Sequence, residues 1–179
     1  GRLKWISEKD KGQSDAINKG IAMAAGDIIG WLNSDDVYLP GALHKVVDAF
    51  ESHSDAQWLY GMCKMIDEND REVRHWISRF KKFRSRKFSF DRLLTENFIS
   101  QPAVFFRKDA FVSVGGLDLD QHYAMDFDLW LRLGKISPPR VIDDYLSAFR
   151  LHGSSKSTTN FRKLFSEQLL IIIPSLKPD

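Results

Sequence analysis

With a single cysteine, Cys63, the 179-residue chain can form no internal disulfide and offers no multi-cysteine zinc site. Such usage suits a reducing compartment. Long apolar runs are lacking too: the longest, residues 169–173, falls far short of the ~20 residues that span a bilayer. Neither phosphate-cradling glycine pattern, G-x-x-x-x-G-K-[ST] or G-x-G-x-x-G, occurs. A net charge of +2 is too small to point to a polyanion by itself. What remains, 43% hydrophobic and 28% charged residues, is the composition of one globular domain over 1–179 with a buried core. Disorder and fibrous repeats do not fit it.

Residues 3–7 read as a short apolar strand. A helix follows, with Ser14 as N-cap, Ala16, Ile17, Gly20, Ile21 and Ala24 on one face, and Gly26 as its stop. Residues 28–32 read as a buried strand that runs straight into Asn33-Ser34-Asp35-Asp36. Pro40 stands at the start of the next helix, with Leu43, Val46, Val47 and Phe50 inward. Strand, helix, strand, helix is βαβ grammar and predicts an α/β fold with a mostly parallel central sheet flanked by helices. Further on, residues 58–66 and 72–77 read as strands joined by the turn Asp67-Glu68-Asn69-Asp70, and 101–107 as another strand. Residues 126–133 read as a helix, 145–150 as a strand and 161–173 as a closing helix.

Three segments carry chemistry. Asp35 and Asp36 end a buried strand, where open α/β sheets place ligands. Hard oxygen ligands there suit Mg²⁺ or Mn²⁺, although an Asp pair also caps turns. Asp126 opens an amphipathic helix with Asp128, Leu129, Trp130, Arg132 and Leu133, as a general base or as a residue the helix dipole favours. His152 follows a strand and precedes Gly153-Ser154-Ser155-Lys156, a setting for a metal ligand and diphosphate contacts or for a solvated loop.

The order of these segments resembles the inverting family-two glycosyltransferases with a GT-A fold. The matching text runs through residues 7–20, 31–40, Ser100-Gln101-Pro102-Ala103, Val114-Gly115-Gly116-Leu117-Asp118, 125–130 and Arg150-Leu151-His152-Gly153. The resemblance implies that Asp35, with Asp36 and His152, holds Mn²⁺ or Mg²⁺ against a sugar-nucleotide diphosphate that Ser154 and Ser155 also contact. It implies Asp126 as the base that deprotonates an acceptor hydroxyl, and Asp10 in a loop approaching the nucleotide. Two departures stand out: Asn33 where many relatives carry Asp, and Met125 where many carry Glu. Relatives begin with a nucleotide-binding strand and helix ahead of the segment at Leu3. The expectation is a domain incomplete at its N-terminus that self-associates through its open sheet edge.

Residues 79–88 hold six basic residues and three Phe. Such a stretch sits on an anionic membrane surface, meets a lipid-linked acceptor, or is a solvated loop with Phe anchors in the core. The partners expected are a nucleotide-sugar donor, a carbohydrate or lipid-linked acceptor and a peripheral membrane contact through 79–88. The place expected is the cytoplasm, at the inner face of the membrane. Two other readings weigh less: a nucleotidyl- or phosphotransferase, which lacks its glycine loop, and a non-catalytic module for anionic ligands. Nucleic acid is not an expected partner, because no basic stripe runs through the chain and the acidic pairs repel phosphate.

Overall fold

Residues 3–152 and 160–175 are described by the structure, a computed structural model. The first helix, α1 (Gln13–Met23), starts two residues earlier than a cap at Ser14 implies. Gly12, at φ 123°, provides the left-handed turn into it. Ser14 is not a cap: it is buried in the first turn and bonds elsewhere. The last carbonyls of α1 are satisfied by Lys108, whose Nζ donates to Ala24 O at 2.7 Å and Ala22 O at 3.2 Å.

β1 (Ile28–Gly30) and β2 (Val37–Tyr38) flank the Asp35 turn, and α2 (Ala42–Ser52) follows Gly41 rather than Pro40. On α2 the buried stripe is Ala42, Val46 and Phe50, four residues apart. Leu43 and Val47, expected inward, lie on its exposed shoulder. Next come β3 (Trp58–Ile66), α3 (His75–Ser85), α4 (Phe90–Thr95) and a short 3₁₀ turn, Gln101–Ala103. β4 (Val104–Arg107), α5 (Lys108–Ser113), α6 (Met125–Ile136), β5 (Arg140–Arg150) and α7 (Phe161–Ser175) complete the order.

The five strands form one sheet in the order β1-β4-β3-β5-β2. The α/β class is as expected, but the sheet is not mostly parallel among the described residues. β3 and β5 pair in parallel, whereas β1–β4, β3–β4 and β2–β5 are antiparallel. β4 accounts for two of the three antiparallel pairs. Val104 and Phe106 point into one core and Phe105 into the other, so it is apolar on both faces. A strand buried on both sides has the same sequence whichever way it runs.

Two further expectations fail. Residues 3–7 form no strand, and Leu3, Trp5 and Ile6 are exposed. The strand expected at 72–77 reduces to one bridge, Ile66 to Glu72, after which Arg74 (φ 53°) turns the chain into α3. The core on one face of the sheet gathers α1, α4 and α6, with Trp58 stacked on Trp130 at 5.9 Å; the other face is closed by α2.

α3 is inverted relative to an ordinary surface helix. Ser78 and Ser85 are its buried residues, while Trp76, Phe80 and Phe83 are 73%, 56% and 73% exposed. Burying Phe80 and Phe83 would each contribute about 1.5–3 kcal/mol, and the fold forgoes both. Phe88 alone of the three Phe in 79–88 packs on the core, so the expected Phe anchors are absent at Phe80 and Phe83. No helix among the described residues is long and apolar enough to cross a membrane.

Candidate active site

The site begins where β1 ends. A Cβ on Gly30 would fall 2.6 Å from the Phe105 ring and the Tyr38 hydroxyl, so only glycine lets the strand lie this close beneath the turn. Buried Trp31 then donates its indole N–H to Asn33 Oδ1 at 3.1 Å. Gln13 donates to the same oxygen at 3.3 Å. Asn33 Nδ2 in turn donates to Gln101 Oε1 at 3.0 Å and to Asp36 Oδ2 at 3.3 Å. A carboxylate at position 33 could make neither of these donations and would set a second negative charge against Asp36. The departure at Asn33 therefore fits the network around it.

The two aspartates have different surroundings. Asp36 is 4% exposed, and its Oδ1 accepts the Arg150 backbone N–H at 3.0 Å. Desolvation lifts its carboxyl above the usual range; the Arg150 N–H opposes this and the neighbouring Asp35 charge adds to it. The Arg150 guanidinium clamps the turn from outside, donating to Asp35 O at 2.9 Å, Asp67 O at 2.8 Å and Asp70 Oδ1 at 2.7 Å. Asp35 instead turns outward, its Oδ2 lying 2.9 Å from His152 Nε2.

That spacing fits a divalent cation. Two ligands at right angles, each ~2.0–2.1 Å from an octahedral ion, stand about 3 Å apart. Among the described residues no group of three His, Cys, Asp or Glu side chains is gathered as a metal site. Divalent cations are commonly bound by one or two carboxylates together with substrate phosphates and water.

The second part is the start of α6. Met125 is buried, and its sulfur accepts the Ser14 hydroxyl at 3.1 Å; the same hydroxyl is 3.1 Å from Gln121 O. Gln13 and Ser14, adjacent on α1, thus touch the Asp35 turn and the Asp126 helix respectively. Asp126 Oδ1 accepts the Phe127 N–H at 2.8 Å. Although the residue is only half-buried, its carboxyl lies deep enough that desolvation dominates and pushes its pKa up to about 6. The Phe127 N–H and the charge of Lys81 on α3 act in the opposite direction.

The turn entering α6 is held by a residue that sequence reasoning missed. Glu167 on α7 accepts backbone N–H groups of Tyr123 at 2.6 Å, Ala124 at 2.9 Å and His122 at 3.1 Å through one oxygen. No local pattern marks it, because its partners lie more than forty residues away. The hub roles of Asn33, Gln101 and Arg150 were missed as well, although all three stand inside the recognised motifs. Asp10 is exposed and accepts the Gly12 N–H at 3.0 Å, closing the turn into α1. Ser154 and Ser155 lie outside the described residues.

Known proteins agree with this architecture. Residues 2–115 match the model of Glycosyl transferase family 2. A Mycobacterium tuberculosis protein named as an uncharacterized glycosyltransferase is 32% identical over 156 residues, covering 86% of this chain and 56% of that protein. A Mycobacterium bovis PGL/p-HBAD biosynthesis glycosyltransferase is 28% identical over 146 residues, covering 81% and 52%. The chain thus spans about half the length of these relatives. Staphylococcus aureus TarS, solved with UDP-GlcNAc, superposes with a TM-score of 0.65 at 14% identity over 97% of this chain and 50% of that one. The shared fold is of the GT-A type, and the chain belongs to glycosyl transferase family 2.

Proposed function

We propose that the protein moves a sugar from a nucleotide-sugar donor to an acceptor hydroxyl by a single inverting displacement. Asp126 is the base, and Asp35 with His152 holds Mn²⁺ or Mg²⁺ on the donor diphosphate. The observation that carries this reading is the joint at α1: Gln13 reaches the turn of Asp35 and Ser14 reaches the helix of Asp126. One helix end therefore ties together two acidic motifs that are far apart in sequence.

The chemistry divides between them. Displacement at an anomeric carbon needs a proton acceptor on one face and charge neutralisation of the leaving group on the other. A bound divalent cation supplies that neutralisation. Asp126, with a pKa near 6, is deprotonated at neutral pH yet more basic than an ordinary aspartate, which suits it to take a hydroxyl proton during attack. Asp36 and Asn33 keep the turn in place so that Asp35 faces His152 rather than the interior. TarS was solved with UDP-GlcNAc, which makes uridine donors the first to try; the acceptor is a carbohydrate or lipid-linked hydroxyl.

The test is product formation by the protein that carries this chain, incubated with a panel of sugar nucleotides, sugar acceptors and Mn²⁺. Transfer with inverted anomeric configuration, abolished by chelation and restored by metal, supports the proposal. Transfer with retention, or transfer indifferent to chelation, contradicts it.

A further inference from the structure

We infer that the outer face of α3 docks on an anionic lipid surface. Trp76, Phe80 and Phe83, at the helical spacing i, i+4, i+7, form one exposed stripe directly opposite the buried Ser78 and Ser85. A helix built only to pack in water would turn these aromatics inward. Here polar contacts hold α3 to the fold instead. Tyr60 donates its hydroxyl to Ser85 O at 2.7 Å, Arg84 pairs with Glu96 at 2.6 Å, and Lys82 and Arg86 reach Asp143 at 3.4 and 3.0 Å.

Charge complementarity selects the occupant. Residues 74–88 contain no acidic side chain, while Arg74, Arg79 and Lys87 are exposed and make no ion pair among the described residues. Aromatics flanked by unpaired cations match the boundary between acyl chains and anionic headgroups. A nucleic acid would satisfy the cations, but a continuous aromatic stripe on a convex helix gives bases no groove to follow. A second copy of this chain would set the cations of one helix against those of the other. On its inner side the same helix carries Lys81, whose charge acts on Asp126.

Vesicle co-sedimentation tests this with no nucleotide and no turnover, so it can fail while the proposed transfer reaction stands. The protein is expected to sediment with vesicles of phosphatidylcholine and phosphatidylglycerol, less so at high salt, and to ignore phosphatidylcholine alone. Arg79→Ala and Lys87→Ala should each weaken binding about fivefold, the equivalent of ~1 kcal/mol per neutralised cation. Trp76→Ser/Phe83→Ser should weaken it by about tenfold or more with an unchanged melting temperature, because both side chains are exposed. Indifference to lipid charge, or parental binding by the double variant, overturns the inference. So does a dimer in light scattering that the double variant dissolves, or tighter binding to single-stranded RNA than to anionic vesicles.

Discussion

The turn that carries Asp35 and the turn that opens α6 pose the same question: does an aspartate at an element's end do chemistry or merely hold the backbone? In both places a neighbour takes much of the structural role. At the first turn Asp36 faces inward, accepting from Arg150 and Asn33, which leaves Asp35 beside His152. At the second, Glu167 collects three backbone N–H groups ahead of the helix, and Asp126 keeps one local bond and a desolvated carboxyl. The surroundings then differentiate the two remaining acids. Asp35 lies 2.9 Å from His152, whereas burial lifts the pKa of Asp126. A carboxylate for metal and a carboxylate for a proton need these opposite settings.

The largest expected effect lies on the Asp126 side. In the protein that carries this chain, Asp126→Asn should cut turnover ~10²–10⁴-fold while leaving donor affinity almost unchanged. Steady-state kinetics with donor titration checks it, and parental turnover would return Asp126 to a backbone role. Asp35→Ala should weaken Mn²⁺ binding in the presence of a nucleoside diphosphate by at least the ~10–100-fold that even outer-shell partners cost. Calorimetry that finds equal affinity would remove Asp35 as a ligand.

The partner residues should behave differently. Asp36→Ala leaves the Arg150 N–H without its acceptor and takes from the Asn33 amide one of its two, and should cost about 1–3 kcal/mol of stability. Chemical denaturation measures that loss; a loss of Mn²⁺ affinity as large as in Asp35→Ala, with stability unchanged, would erase the distinction between the two aspartates. Glu167→Gln keeps an acceptor oxygen but removes the charge. It should lower turnover by a smaller factor than Asp126→Asn, with KM nearly constant, and Glu167→Ala should lower it further.

How far the sequence leads follows the same division. β3 and the helix at α6 are legible because periodicity is local, whereas the motifs with Asp35, Asp126 and His152 stand out only through their shared order and the family it resembles. Direction and partnership are not local. β4, buried on both faces, gives no sign that it runs against β1 and β3. The strand expected at 72–77 fails because alternation over so few residues does not exclude a helix that starts at His75. Residues 3–7 are apolar enough for a strand but pair with nothing among the described residues. Glu167 is invisible for a different reason: its role exists only once α7 crosses the start of α6.

A smaller effect separates chemistry from stability. The fold raises the pKa of Asp126 above its ordinary value, so the folded state favours the protonated form. The stability that this preference contributes is present at low pH and lost as pH rises through about 6. Asp126→Asn carries no proton to lose. It should therefore be more stable than the parent at pH 8 by roughly 1–3 kcal/mol, with the gap closing as pH falls below 5. Melting curves at the two pH values would show it.

The dependence of transfer rate on pH tests the central claim most directly, because it reads the proton on Asp126 during the reaction. A base must be deprotonated to act, so kcat/KM should rise as pH increases through about 6 and level off above it. In Asp126→Asn that limb should vanish together with most of the rate. A variant that keeps the limb at the same midpoint with parental turnover would contradict the assignment of Asp126 as the base.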